Sequence, residues 1–171
     1  MKKIKECKRI LIVGDSGRGK STMADFLSKR LNLKHQDLDD FFWEKKFTMK
    51  REKSEQLKMV RDFLKEKNEW IIEGTTRDMA SICMGDADVI IYMWFENLLD
   101  QLICISKRSY QKKENFWPFF DLCFTTILKR YKLGKGNKGK PSVKELISEY
   151  SEKTISLSTW EDINKFKESL G

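Results

Sequence analysis

A glycine-rich segment, Gly14-Asp-Ser-Gly-Arg-Gly-Lys-Ser21, stands between two patterned stretches of the chain. The stretch before it, Arg9–Val13, is apolar and rich in β-branched residues, which predicts a buried strand. The stretch after it, Ser21–Leu31, has apolar residues at helical spacing and predicts a helix with one buried face. A strand, a tight glycine-rich turn and a helix are the parts that open a parallel α/β unit.

The residue types of this segment match the GxxxxGK[ST] pattern of phosphate-binding loops in full. The glycines allow backbone conformations in which successive N–H groups point at one anion, and the following helix adds its positive end. Lys20 can reach terminal phosphates, and the Ser21 hydroxyl can ligate Mg²⁺. The alternative is an ordinary glycine-rich turn, which would leave both residues in these places by chance. The predicted nucleotide-binding residues are Gly14, Asp15, Ser16, Gly17, Arg18, Gly19, Lys20, Ser21 and Thr22.

Length and composition favour one domain. The chain has 171 residues, 40% of them hydrophobic and 35% charged, which suits a single folded domain over residues 1–171. Its 4 cysteines form no closely spaced pair and His35 is the only histidine, which argues against a zinc site or a secreted disulfide framework. The longest uncharged apolar run, Val89–Phe95, is far shorter than the roughly 20 residues of a membrane-spanning helix. No signal-peptide pattern is present, so we expect a cytoplasmic protein.

The positive charge is concentrated in one part of the chain. The whole sequence carries 34 basic and 26 acidic side chains, a net charge of +8. Residues 101–140 hold ten of the basic and two of the acidic side chains, and the excess runs from Lys107 to Lys140. Such a region attracts nucleotide phosphates or nucleic acid, while a solvated face that only aids solubility is the alternative.

The rest of the chain alternates between predicted strands and helices, which implies a parallel sheet with right-handed crossovers. Further strands are predicted at His35–Leu38, Trp70–Glu73, Ala87–Trp94 and Lys153–Ser158. Helices are predicted at Lys50–Lys67, Asn97–Tyr110, Ser142–Tyr150 and Trp160–Leu170. An aromatic-rich segment, Glu114–Tyr131, is interrupted at Pro118, and Gly134–Pro141 is a basic, glycine-rich loop.

Together these features resemble the small P-loop kinases of the adenylate kinase and shikimate kinase type, and among them the DNA topology modulation proteins. Besides the loop, the resemblance rests on Leu38–Trp43 (LDDFFW), Trp70–Gly74 (WIIEG), Ala87–Ile91 (ADVII), and the last strand with its closing helix. It implies a three-layer α/β/α P-loop NTPase fold with a five-stranded parallel sheet of order 2-3-1-4-5. It also implies ATP or another NTP with Mg²⁺ on the loop, an acceptor site at about 37–77, and a small helical lid at about 107–140.

The resemblance also assigns residues to the acceptor side. Asp39 matches a carboxylate that orients an acceptor hydroxyl or holds Mg²⁺ through water, and Glu73 matches a position that serves the metal through water. Arg77 can clamp a phosphate or carboxylate, or it is a surface residue at a helix start. Turn and capping chemistry is the alternative for the acidic cluster, and core packing for Phe42. The predicted acceptor residues are Asp37, Asp39, Phe42, Arg51, Glu73, Gly74 and Arg77, and the predicted metal-site residues are Ser21 and Glu73.

Kinases of this type usually carry lid arginines that neutralise charge during transfer. The candidates here are Lys107, Arg108, Lys112 and Lys113, and Arg108 joins Lys20 and Asp39 as a predicted catalytic residue. The sequence departs from the pattern near Leu102, where an arginine is expected, and at Met93–Phe95, where relatives place acidic or proline residues. Lysine supplies charge without the planar geometry of arginine.

Two aromatic features leave alternatives open. The segment Phe116–Phe120 either packs on the sheet or forms a patch for a partner or a membrane surface. Trp160 either stacks on a nucleobase or is buried under the last helix. The favoured function is transfer of the γ-phosphoryl group of ATP–Mg to a small acceptor. The alternatives are a nucleotide-regulated DNA- or RNA-binding protein, and a slow NTPase without kinase activity. The oligomeric state is left open.

Overall fold

A parallel sheet organises the part of the chain that this computed structural model describes, residues 4–45, 48–111, 116–131, 133 and 139–170. The strands are β1 (Arg9–Gly14), β2 (His35–Asp37), β3 (Trp43–Lys45), β4 (Met49–Lys50), β5 (Trp70–Gly74), β6 (Val89–Met93) and β7 (Thr154–Leu157). Within the described residues, five of them pair in the order β2-β5-β1-β6-β7, and β3 and β4 form a separate antiparallel hairpin. Counted along the chain, the five-stranded order is 2-3-1-4-5, which confirms the predicted fold class.

Helices connect these strands and cover the sheet. They are α1 (Lys20–Leu31), α2 (Leu38–Phe42), α3 (Lys53–Glu66), α4 (Arg77–Asp86), α5 (Leu98–Gln111), α6 (Phe116–Arg130), α7 (Val143–Ser148) and α8 (Trp160–Glu168). Short 3₁₀ helices lie at Ile4–Glu6 and Ser151–Lys153. Among the described helices, none is both long and apolar enough to cross a membrane.

The central strand β1 shows why both faces of the sheet need cover. Ile10 and Ile12 are fully buried against α1 residues on one face. Leu11 and Val13 are buried on the other face, against residues of α3 and α4. A strand buried on both sides reads as a continuous apolar run, which is the pattern of parallel sheets between two helical layers.

Several boundaries differ from the predicted ones. Lys50 lies in β4 and not in a helix, and α3 begins three residues later, after the extended residue Glu52. Pro118 does not interrupt α6, because it occupies the first turn, where a backbone N–H has no helical partner to lose. The predicted residues Lys112 and Lys113 lie outside the described residues, as does most of the Gly134–Pro141 loop.

Candidate functional site

The phosphate loop begins where β1 meets the end of β6. Gly14 has a φ of +136°, and a Cβ added there would lie 1.8 Å from the Met93 carbonyl oxygen. Gly17 and Gly19 have φ values of +84° and +87°, in the region that favours glycine. Gly19 caps the N-terminus of α1. The glycines of the motif therefore meet a backbone requirement, and the strand–turn–helix context predicted for it is present.

Lys20 lies inside this loop. Its side chain is only 7% exposed, and its ammonium group donates a hydrogen bond of 2.8 Å to the Asp15 carbonyl oxygen. Burial lowers the pKa of Lys20, and the charges of Glu73, Asp15 and Asp39 oppose that shift. A buried ammonium group that is hydrogen-bonded to a neutral backbone carbonyl can exchange that bond for a stronger one to an anionic oxygen.

Ser21 and Glu73 come together from α1 and β5. The Ser21 hydroxyl donates a hydrogen bond of 2.6 Å to Glu73 Oε1. Burial raises the pKa of Glu73, and the Ser21 hydrogen bond and the Lys20 charge oppose the shift. Adjacent hydroxyl and carboxylate oxygens are the donors that Mg²⁺ prefers, so these residues fit the ion. The described residues hold no group of three or more His, Cys, Asp or Glu side chains that could bind a metal ion by themselves.

Two charged side chains of the loop contact neighbouring elements. Asp15 Oδ2 accepts a hydrogen bond of 2.9 Å from the Phe95 backbone N–H. The Arg18 guanidinium lies 4.5 Å from the Phe95 ring centroid and 4.8 Å from that of Trp160, and it donates to the Ser158 carbonyl oxygen. Trp160 is 55% exposed, so the alternative that it is buried under α8 is wrong. These contacts attach the loop to the segment that follows β6 and to the start of α8.

The predicted catalytic residues Asp39 and Arg108 lie near Lys20. Burial and the positive charge of Arg108, which is exposed on α5, both lower the pKa of Lys20, whereas the negative charge of Asp39 raises it. Asp37 caps α2, because its Oδ1 accepts a hydrogen bond of 2.9 Å from the Asp39 backbone N–H. Arg51 Nη1 lies 3.3 Å from Glu55 Oε1. Asp39 and Arg108 are therefore close enough to the loop for their charges to act on Lys20. Asp37 caps α2, and Arg51 forms an ion pair with Glu55 of α3.

A cavity of about 640 Å³ opens beside the loop at the carboxyl ends of the strands. Of the predicted acceptor residues, Phe42 and Arg77 line it, whereas the other five lie outside its lining. Gly74 has a separate role, because a Cβ there would lie 2.7 Å from Leu38 Cβ. Its close approach to α2 requires glycine. The lining also includes residues that were not named as site residues from the sequence, namely Tyr92, Trp94, Gln101, Thr126, Arg130, Lys140, Ser142 and Lys144. Arg130 and Lys140 belong to the basic region at 107–140 that the sequence predicted to attract phosphates.

The cavity combines an aromatic wall with cationic groups. The Tyr92 and Trp94 rings are nearly parallel, with centroids 6.2 Å apart, and Lys144 Nζ lies 5.1 Å from the Trp94 centroid. Arg77 Nε donates to Asp78 Oδ1 at 3.1 Å, and Arg130 donates to the carbonyl oxygens of Phe95 and Glu96 at 3.2 and 2.6 Å. A small molecule with a flat or apolar face and a negative group fits these surroundings.

Comparisons with known proteins agree with the fold. No family model matches the chain. A curated relative, the uncharacterized protein YqaC of Bacillus subtilis (strain 168), is 33% identical over 108 residues. That match takes 63% of this chain and spans 60% of the relative's length.

Solved structures of small-molecule kinases share the architecture. The shikimate kinase of Acinetobacter baumannii in complex with shikimate has a TM-score of 0.56 and 16% identity, covering 98% of this chain and 93% of its own. A gluconokinase of Sinorhizobium meliloti 1021 has a TM-score of 0.52 and 11% identity, covering 95% and 94%. The chain therefore has the α/β fold of P-loop kinases. The comparisons neither confirm a relation to the topology modulation proteins nor support nucleic-acid binding.

Proposed function

We propose that this protein is an ATP–Mg-dependent phosphotransferase that moves the γ-phosphoryl group to a hydroxyl of a small, negatively charged acceptor. The observation that carries the proposal is a phosphate loop that ends in buried Lys20 and in Ser21, whose hydroxyl is hydrogen-bonded to Glu73 of β5. The same loop borders the cavity that is lined by cationic side chains. Support for the fold comes from the likeness to small-molecule kinases.

On the donor side, the loop amides and Lys20 bind the β- and γ-phosphates. Lys20 exchanges its hydrogen bond to the Asp15 carbonyl oxygen for the more negative phosphate oxygens. Ser21 would hold Mg²⁺ directly, and Glu73 would hold it through water. The ion would neutralise charge on the phosphates. Positioning and charge stabilisation then supply most of the catalysis.

On the acceptor side, Asp39 orients the hydroxyl and accepts its proton. The acceptor oxygen forms a bond to the γ-phosphorus, the bond from that phosphorus to the β–γ bridging oxygen breaks, and ADP leaves with the electron pair. Arg108 stabilises the charge on the transferring group. Arg77 and Lys144 line the cavity and attract the acceptor's own negative group.

The acceptor class follows from the cavity. The lining of the cavity holds four cationic side chains (Arg77, Arg130, Lys140 and Lys144) and two carboxylates (Asp15 and Asp78). This excess of positive charge favours a carboxylate or phosphate on the acceptor. The two kinases named above act, by their names, on shikimate and gluconate, which are hydroxy acids. Hydroxy acids and nucleoside monophosphates are therefore the first acceptors to test.

The test is a screen for ADP or GDP release with ATP or GTP, Mg²⁺ and a panel of hydroxy acids, sugars, nucleosides and nucleoside monophosphates. We expect one acceptor class to raise release well above the acceptor-free rate. Lys20→Ala should lower that rate at least about 100-fold. Lys29→Ala, which removes an exposed lysine from the same helix, is the matched control. No acceptor-dependent release, or equal rates for Lys20→Ala and the control, would contradict the proposal.

A further inference from the structure

The exposed apolar side chains of this protein are concentrated on two neighbouring helices. In the described part of the chain, ten large hydrophobic side chains are exposed, and eight of them lie between residues 99 and 133. Tyr110 is 88% exposed and Trp117 is 77% exposed. A concentration of this kind marks an interaction surface, because single exposed apolar residues are otherwise scattered.

On α5 these side chains form one stripe. Successive residues of an α-helix are about 100° apart around the axis, so Leu99, Ile103 and Tyr110 lie within about 40° of one another. The opposite side of α5 packs inward, where Gln101 donates a hydrogen bond to the Ser16 carbonyl oxygen and Ile105 lies against Gly17. The stripe therefore faces away from the phosphate loop.

Helix α6 likewise has an exposed apolar side and an opposite side that faces inward. Trp117, Phe120, Phe124 and Tyr131 fall within about 60° of one another around the axis. Thr126 and Arg130, which line the cavity, lie on the other side of α6. The two helices also pack against each other. We call these seven residues the outer face: Leu99, Ile103, Tyr110, Trp117, Phe120, Phe124 and Tyr131.

Charge indicates what this face contacts. Residues 101–140 carry ten basic and two acidic side chains in the sequence. On α5, Lys107 is exposed about 40° around the helix axis from Ile103, whereas Arg108 lies on the side of the phosphate loop. Helices that lie in a membrane interface combine Trp, Phe and Leu on one side with flanking basic residues, and they bind anionic lipids. We propose that the outer face of α5 and α6 docks on the surface of an anionic lipid bilayer, with its apolar side chains in the headgroup–acyl boundary.

Two other occupants fit the observations less well. A second copy of the chain would place one strongly basic region opposite another, and the like charges would repel. Single-stranded nucleic acid stacks its bases on aromatic rings in a basic groove. The outer face, however, also presents the aliphatic side chains of Leu99 and Ile103, on which no base stacks. An apolar phase accepts both kinds of side chain.

Co-sedimentation with vesicles tests the proposal. We expect the protein to bind vesicles of phosphatidylcholine mixed with phosphatidylglycerol, to bind pure phosphatidylcholine vesicles far less, and to dissociate at high salt because screening weakens the attraction. The triple variant Trp117→Ser/Phe120→Ser/Phe124→Ser should bind at least about tenfold more weakly. Met49→Ser, an exposed apolar residue outside the outer face, is the control and should bind as the wild type does.

A second variant, Leu99→Ser/Ile103→Ser, keeps the test decisive if the triple variant does not fold, as judged by circular dichroism and melting temperature. It should also weaken vesicle binding, by a smaller factor. Absence of binding to anionic vesicles, or equal binding by folded outer-face variants, would overturn the proposal. So would retention on single-stranded DNA, or self-association lost in the variants, if the wild type does not bind the vesicles.

Discussion

At the scale of single residues, Glu73, which is hydrogen-bonded to Ser21 of the phosphate loop, should make the stability of the fold depend on pH. Burial raises its pKa above 4.5, so the folded chain holds this proton more tightly than the unfolded chain does. The resulting stabilisation is fully present below pH 4.5 and is lost as the pH rises through the higher folded value. Glu73→Gln should therefore lose less stability than the wild type between pH 4.5 and pH 7, as measured by urea unfolding across that range.

The same substitution should weaken Mg²⁺-dependent nucleotide binding by about 10- to 100-fold, because glutamine cannot supply the negative charge beside Ser21. Glu66→Gln, at an exposed position at the end of α3, is the matched control and should change neither property. If Glu73→Gln bound the nucleotide normally while its pH profile flattened, the residue would be structural only.

Gly14 and Gly85 form a second residue-scale comparison. Gly14→Ala places a Cβ against the Met93 carbonyl oxygen at a positive φ, and it should lower the free energy of unfolding by about 3 kcal/mol or more. Gly85→Ala adds a Cβ in open space within α4, and it should raise that free energy by about 0.5–1 kcal/mol. Chemical denaturation of both variants checks the signs. Similar losses in the two would contradict the geometry of the loop.

At the scale of elements, Arg18 connects the phosphate loop to the C-terminal helix. It stacks between Phe95 and Trp160 and donates to the Ser158 carbonyl oxygen. In a double-mutant cycle, Arg18→Met and Trp160→Ala should therefore show a coupling of about 0.5–2 kcal/mol in unfolding free energy. Arg18→Met with Trp94→Ala is the control cycle, since Trp94 stacks on Tyr92 instead. Additive effects in both cycles would mean that the loop and α8 are independent.

Element by element, local patterns predicted the five-stranded sheet and the loop but not helices α2 and α4 or the β3–β4 hairpin. The strand β1 was predictable because its four central residues, Ile10–Val13, are apolar and buried on one face or the other. Helix α2 has only five residues, too few for a helical period to appear. Helix α4 was missed although Met79, Ala80, Cys83 and Met84 are buried at helical spacing, so its signal was present in the sequence.

The candidate site divided in the same way. Lys20, Ser21 and Glu73 were predictable because a motif and a buried carboxylate mark them in one short stretch each. Lys144 was missed, and Arg130 was predicted only as part of the basic region at 107–140, because the cavity joins helices α6 and α7, which are far from the loop in sequence. The spacing of residues in the sequence does not predict that these helices line one cavity, because this arrangement depends on tertiary packing between β6 and β7.

At the scale of the whole molecule, the phosphate loop and the cavity occupy the carboxyl edge of the sheet, and the outer face of α5 and α6 points away from them. Binding at one surface should therefore leave the other accessible. We expect the triple outer-face variant to bind ATP–Mg with an affinity within about twofold of the wild type, because distant, independent sites are additive. Calorimetry checks this prediction. A loss of ATP binding in a folded variant would show that the outer face and the nucleotide site are not independent.

The central claim is that the loop at residues 14–21 binds a nucleoside triphosphate with Mg²⁺. Isothermal titration calorimetry with ATP and GTP, on the wild type, Lys20→Ala and Lys29→Ala, tests it most directly. The structure predicts one site that either or both nucleotides fill, at least about tenfold weaker in Lys20→Ala and unchanged in Lys29→Ala. Binding of neither nucleotide to the wild type, or equal binding by Lys20→Ala, would contradict it.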